Sequence, residues 1–138
     1  MTQHEITKAA PLLDASGNLT EPGWARSLLP VYCRSQIRAP KSRIKEWDYY
    51  LVANDHFAVA LTIADNGYMG LDSISLLNLD EGWEKTKSPM RAFPLGKTGL
   101  PESSETGDVS ISGKGYHLSF RHDGPDRVLD LHMEDFLD

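Results

Sequence analysis

From Glu46 onward the chain is written in one period: β-branched and aromatic residues alternate with small or polar ones, in short runs broken by Gly, Asn, Asp and Pro. No segment in this region keeps a helical repeat, so the alternation leaves antiparallel β structure as the outcome. It predicts strands at 46–53, 57–64, 68–79, 108–112, 115–122 and 127–133. The stretch Glu81 to Gly107, with three Pro and four Gly, is too long for a hairpin loop and is expected to cross an end of the sheet. Residues 1–45 read differently. Pro11, Pro22-Gly23, Pro30 and Pro40 interrupt them too often for a long helix, so they form an irregular N-terminal arm. Trp24, Leu28, Leu29 and Tyr32 allow one short helical turn there.

Register follows from pleat, because a slip of one residue turns every side chain to the other face. For the first hairpin, a two-residue loop at Asn54-Asp55 groups Asp48, Tyr50 and Val52 with Phe57, Val59 and Leu61. A three-residue loop, Asn54-Asp55-His56, groups Trp47, Tyr49 and Leu51 with those apolar residues instead. It leaves Asp48, Tyr50 and Thr62 beside Ala58, Ala60 and Ala64. The second choice makes one face uniformly apolar and is the expected one. In the C-terminal region, a Gly113-Lys114 turn pairs Ile111 with Tyr116, and a loop at 123–126 pairs Phe120 with Leu129 and Leu118 with Leu131.

At 138 residues with 40% hydrophobic and 25% charged residues, the chain suits one globular domain. Its net charge of −6 argues against nucleic acid as a partner, and the charge is uneven: +2 over residues 1–50 and −8 over 51–138. Cys33 is the single cysteine, which excludes an intrachain disulfide and any Cys-rich zinc spacing. The N-terminus lacks a signal-peptide core and no apolar run approaches bilayer length, so membrane insertion is not expected and the cytoplasm is the expected location.

Two polar groups are the candidates for chemistry. Asp48, Tyr50 and Thr62 share a face with small residues. In an open antiparallel sheet that face is wet, whereas a sheet curled into a barrel would turn it inward and raise the Asp48 carboxyl into a useful acid. His117, Ser119, Asp130 and His132 gather on the outward face of the C-terminal strands, with His117 opposite His132. These are metal-ligand and nucleophile residue types, but no G-x-S-x-G turn surrounds Ser119, and a solvated sheet face is the simpler reading. No metal or cofactor is expected. Gly96-Lys97-Thr98 resembles the end of a phosphate loop, yet the position five residues earlier is Arg91 rather than Gly. The cations Arg34, Arg38, Lys41, Arg43 and Lys45 lack interleaved aromatics and read as a solvated segment.

The stretches PLLDASGNLTEPGWAR, RIKEWDYYLV, IADNGYMG and FPLGKTGLPESSETGDV together resemble the N-terminal part of the domain-of-unknown-function family 2804. The family's wider relatives are lipocalin-like (calycin) proteins. The resemblance implies a calycin-like barrel or half-barrel, the first half of a longer architecture, with the 127–133 strand left as an edge for a second copy or another chain. It carries over no catalytic residue. Three functions are therefore expected to compete. The first is a module binding a hydrophobic or amphipathic small molecule through Asp48, Tyr50, Thr62 and Tyr68. The second, borrowed from the wider relatives, is a hydratase-like or cyclase-like enzyme with Asp48 as its acid. The third is a half-barrel that pairs with another chain.

Overall fold

The computed structural model describes residues 3–137, which fall into two compact units divided between Ala39 and Pro40. The first unit is mostly irregular. Strands β1 (Ala10–Pro11) and β2 (Pro30–Val31) pair in parallel over two residues, and single bridges join Glu5 to Trp24 and Leu13 to Leu19. Proline cannot donate to a ladder, so the pairing stays short. Asp14 organises one turn by accepting from the Ser16 and Asn18 amides at 2.8 and 2.9 Å, bonds that hold its carboxyl below the usual range. The expected helical turn over 24–32 is absent; a 3-10 turn covers Arg34–Gln36 instead.

The second unit is all-β apart from a 3-10 turn at Lys41–Arg43. Strands β3 (Glu46–Ala53), β4 (Phe57–Asp65), β5 (Met69–Asn78) and β6 (Trp83–Lys87) form an antiparallel sheet in that order. Strand β7 (Met90–Ala92) continues β6 along the same edge of β5 after an interruption at Ser88-Pro89. Strands β8 (Val109–Gly113), β9 (Tyr116–Asp123) and β10 (Asp126–Met133) form a separate three-stranded meander. The 81–107 segment is thus not wholly a connection, since β6 and β7 lie within it. Their alternation is short and mostly polar, which is why it does not stand out in the sequence.

The first hairpin overturns the expected register. Asn54 Oδ1 accepts from the His56 and Phe57 amides, both at 2.8 Å, and the Asn54 amide donates to the Phe57 carbonyl at 2.9 Å. The turn therefore closes as a two-residue loop, Asp55-His56, pairing Ala53 with Ala58 and Tyr50 with Leu61. That choice turns Asp48, Tyr50 and Val52 to the side of Val59, Leu61 and Ile63, and sends Trp47, Tyr49, Leu51 and Thr62 to the other. Trp47 is 61% exposed as a result. In the meander the 123–126 turn forms as expected, with Phe120 on Leu129 and Leu118 on Leu131. The preceding turn sits one residue later, at Lys114-Gly115, so Ile111 pairs with Leu118, and the same side chains still face inward.

Leu61, Ile63 and Ile74 of the first sheet pack against Val109, Leu118 and Phe120 of the second. Tyr50 meets Phe120 edge to face at 4.9 Å between ring centroids. The sheets cross rather than run together. Arg127, near the start of β10, donates to Tyr50 on edge strand β3, while Lys87 on β6 donates to the Asp135 carbonyl just past the end of β10. Strand β10 therefore spans the full width of the first sheet. No hydrogen-bonded ladder joins the two sheets among the described residues, so neither closes into a barrel.

Candidate functional site

The inner face has three zones, set by register. Across β3, β4 and β5 its rows read Val52–Val59–Leu76, then Tyr50–Leu61–Ile74, then Asp48–Ile63–Asp72. The middle row, closed over by Phe120, is the packed centre. The first row lies under β10 and remains partly uncovered. There an open cleft of about 300 Å³ runs between Val59, Ile74 and Leu76 below and Leu131, His132, Met133 and Phe136 above. Its walls are mostly apolar, with His132 the one polar residue among them, the composition of a small-molecule or side-chain pocket.

On the other side of the centre lies a polar group drawn from both sheets. Arg127 Nε donates to Tyr50 Oη at 2.7 Å, and its guanidinium carbon stands 5.3 Å from the Tyr50 ring centroid. Arg127 Nη1 donates to the Gly107 carbonyl at 3.0 Å and rests 3.1 Å from His122 Nε2. The remaining nitrogen, Nη2, is buried without a partner among the described residues, and so is Oδ2 of Asp48. Burial pushes the Asp48 carboxyl above its ordinary range, and the charge of Arg127 opposes that push. Each unmet buried atom costs about 1–3 kcal/mol. The face bearing Asp48 thus points between the sheets, not to open water.

The third zone is a satisfied network that the sequence does not announce. Asp72, 0% exposed, receives Arg91 Nε at 2.7 Å on Oδ2 and Arg91 Nη2 at 2.9 Å on Oδ1, and Tyr116 Oη adds 2.8 Å on Oδ2. The hydrogen bond that Arg91 donates to Asp72 is the main cause holding the Arg91 proton more tightly; burial, then Asp72, pushes the Tyr116 phenol up to about 12. Asp65 collects the Gly67 amide at 3.0 Å, the Gly96 amide at 2.8 Å and the Thr98 hydroxyl at 3.0 Å. Two aspartates in strongly apolar strands are the only hint in the sequence. Gly96-Lys97-Thr98 holds a carboxylate of its own chain rather than a phosphate.

The other expected site residues scatter. Thr62 lies on the outer face opposite Tyr49 and Ser73, so the grouping of Thr62 with Asp48 and Tyr50 is corrected. Tyr68 is exposed in the β4–β5 turn. His117 lies opposite His132, and Ser119 opposite Asp130. Ser119 Oγ bonds Ser110 Oγ at 2.7 Å, and His117 Nδ1 bonds Ser112 Oγ at 2.8 Å. Among the described residues no three His, Cys, Asp or Glu side chains converge as metal ligands. Cys33 Sγ lies 3.1 Å from Ser35 Oγ, and Arg38 donates to the Ala15 carbonyl.

No described helix is long and apolar enough to cross a membrane. A family model described as "Domain of unknown function (DUF2804)" matches residues 3–138. The comparisons with curated proteins and with solved structures found no match.

Proposed function

The chain belongs to the DUF2804 family, whose description assigns no activity, and from that premise we propose that its second unit is a binding module for a hydrophobic or amphipathic small molecule. The open apolar cleft of about 300 Å³ beneath β10 carries the reading. An aliphatic or isoprenoid body lies along Val59, Leu76, Leu131 and Met133. A polar end stays at the open mouth of the cleft, where His132 is the one polar residue of the lining, and Asp48 and Tyr50 lie outside it. Thr62 and Tyr68 have no part in it, since neither faces the cleft. A calycin-like relationship would account for a guest held between sheets, here in an open form.

Thermal-shift titration with fatty acids, isoprenoid alcohols and other lipids tests the proposal, with Leu131→Trp as the variant that fills the cleft. A guest that raises the melting temperature of the natural chain and not of Leu131→Trp supports it. No stabilisation by any class, or equal stabilisation of both proteins, refutes it.

The enzyme reading retains one supporting observation, the burial that raises the Asp48 carboxyl. Asp48 is separated from the cleft by the Tyr50–Leu61–Ile74 row, so an acid acting on the same guest would have to be reached around Tyr50.

A further inference from the structure

Among the described residues strand β10 pairs with β9 on one side only. The Glu134 amide donates to the Gly115 carbonyl in line with β9, so period two turns the Leu129, Leu131 and Met133 amides and carbonyls toward the open edge. Beneath that edge the first sheet continues. Val52 is 58% and Phe57 43% exposed, and Leu131 on β10 is 41% exposed. An unpaired ladder and an uncovered apolar floor therefore meet along one line.

We propose that this edge accepts an extended basic segment of another polypeptide as an added strand beside β10, with alternate apolar side chains seated over Phe57, Val59 and Leu76. Charge selects the partner. Asp123, Asp126, Asp130, Glu134 and Asp135 are all exposed around the strand, five carboxylates against three cations: Arg127 within it, Arg121 opposite Val128 and Lys87 at its far end. Lysine or arginine at the outward positions of the guest strand meets these carboxylates, whereas an acidic strand is repelled.

A second copy of this chain fits poorly as the occupant. Pairing β10 with its symmetry mate would set the two strands about 4.8 Å apart with both first sheets on the same side. Each first sheet extends past its own β10 by the Phe57–Asn78 row, about 7 Å further along, and by the 54–57 turn. The two overhangs would claim the same volume. A single strand has no such overhang.

The probe is an acetylated peptide of about seven residues alternating valine with lysine, compared with its valine–glutamate counterpart and with a lysine peptide N-methylated along one edge. Nitrogen-15 NMR follows the β10 amides of the intact chain, and sedimentation gives its mass. The lysine peptide is expected to shift Leu129 and Leu131 amides and to bind at least about tenfold more tightly than the glutamate peptide, more weakly as salt rises. N-methylation is expected to abolish binding. Equal binding of the lysine and glutamate peptides, undiminished binding after N-methylation, absence of any β10 shift, or a dimer formed through β10 would each overturn the proposal. These readouts are main-chain signals from a peptide, so the small-molecule reading can fail while this one stands, and the reverse.

Discussion

Replacing Arg91 by Met should reveal how much the inner face depends on a single ion pair. Asp72 is fully buried and takes two bonds from Arg91 and one from Tyr116. The methionine keeps the side-chain stem but strips the carboxylate of its counter-charge. Leaving an uncompensated buried charge costs about 3–5 kcal/mol, and the surviving Tyr116 bond places the loss toward the lower end. With a urea slope of about 1–3 kcal/mol/M, the unfolding midpoint falls by about 1–3 M. The triple variant Asp72→Leu/Arg91→Met/Tyr116→Phe removes the charges and the hydroxyl together. Because a buried pair scarcely outweighs its own desolvation, the triple variant should lie within about 1.5 kcal/mol of the natural chain, far above the single variant. Urea melts of all three proteins followed by circular dichroism decide the matter. A single-variant loss below about 1 kcal/mol, or a triple variant as unstable as the single one, would refute this account of the network.

Two further outcomes are expected. Because burial raises the Asp48 carboxyl, the folded chain keeps a proton that the unfolded chain releases near pH 3.9, so the natural chain loses stability as pH rises through the raised value. Asp48→Asn, which cannot titrate, should match the natural chain most closely below about pH 4 and gain on it toward neutrality; urea midpoints across pH that show the opposite slope would contradict the burial. A Cβ added at Gly113 would overlap the Cε1 edge of the Tyr116 ring and crowd its hydroxyl. Gly113→Ala should therefore displace Tyr116 from Asp72 at a cost of about 1–3 kcal/mol, and an unchanged melting temperature with an unshifted Tyr116 ring in NMR would show that the contact yields freely.

Most strand positions were legible because alternation is a local property, and the last hairpin declared its register through its 123–126 turn. The turn before it lies one residue later than Gly113-Lys114 and shifts the pairing by two, which preserves the inward face but not the partners. The first hairpin declared neither. Its reading assumed that Trp47, Tyr49 and Leu51 belong inside, whereas the turn chemistry of Asn54 decides the parity and leaves them exposed. Asp48 accordingly faces inward for a reason different from the barrel closure that the sequence suggested. The Asp72–Arg91–Tyr116 network lay beyond sequence reasoning because its members are separated by 19 and 44 residues and meet only when β7 and β9 arrive at β5. Asn54 carried a usable signal, since an Asx turn specifies its own loop length.

The crossing from β7 to β8 has an implication for the order of assembly. Phe93 and Leu95 occupy left-handed backbone at φ 48° and 51°, a conformation of little intrinsic preference for such side chains. Asp65 holds this path through Gly96 and Thr98, contacts that bridge 31 and 33 residues. Leu95 in turn donates to the Gly67 carbonyl in the β4–β5 turn. None of these acceptors is in place until β4 and β5 have paired, so local preference cannot shape the crossing in advance. The hairpin thus acts as the mould for the crossing that leads the chain on to the three-stranded meander.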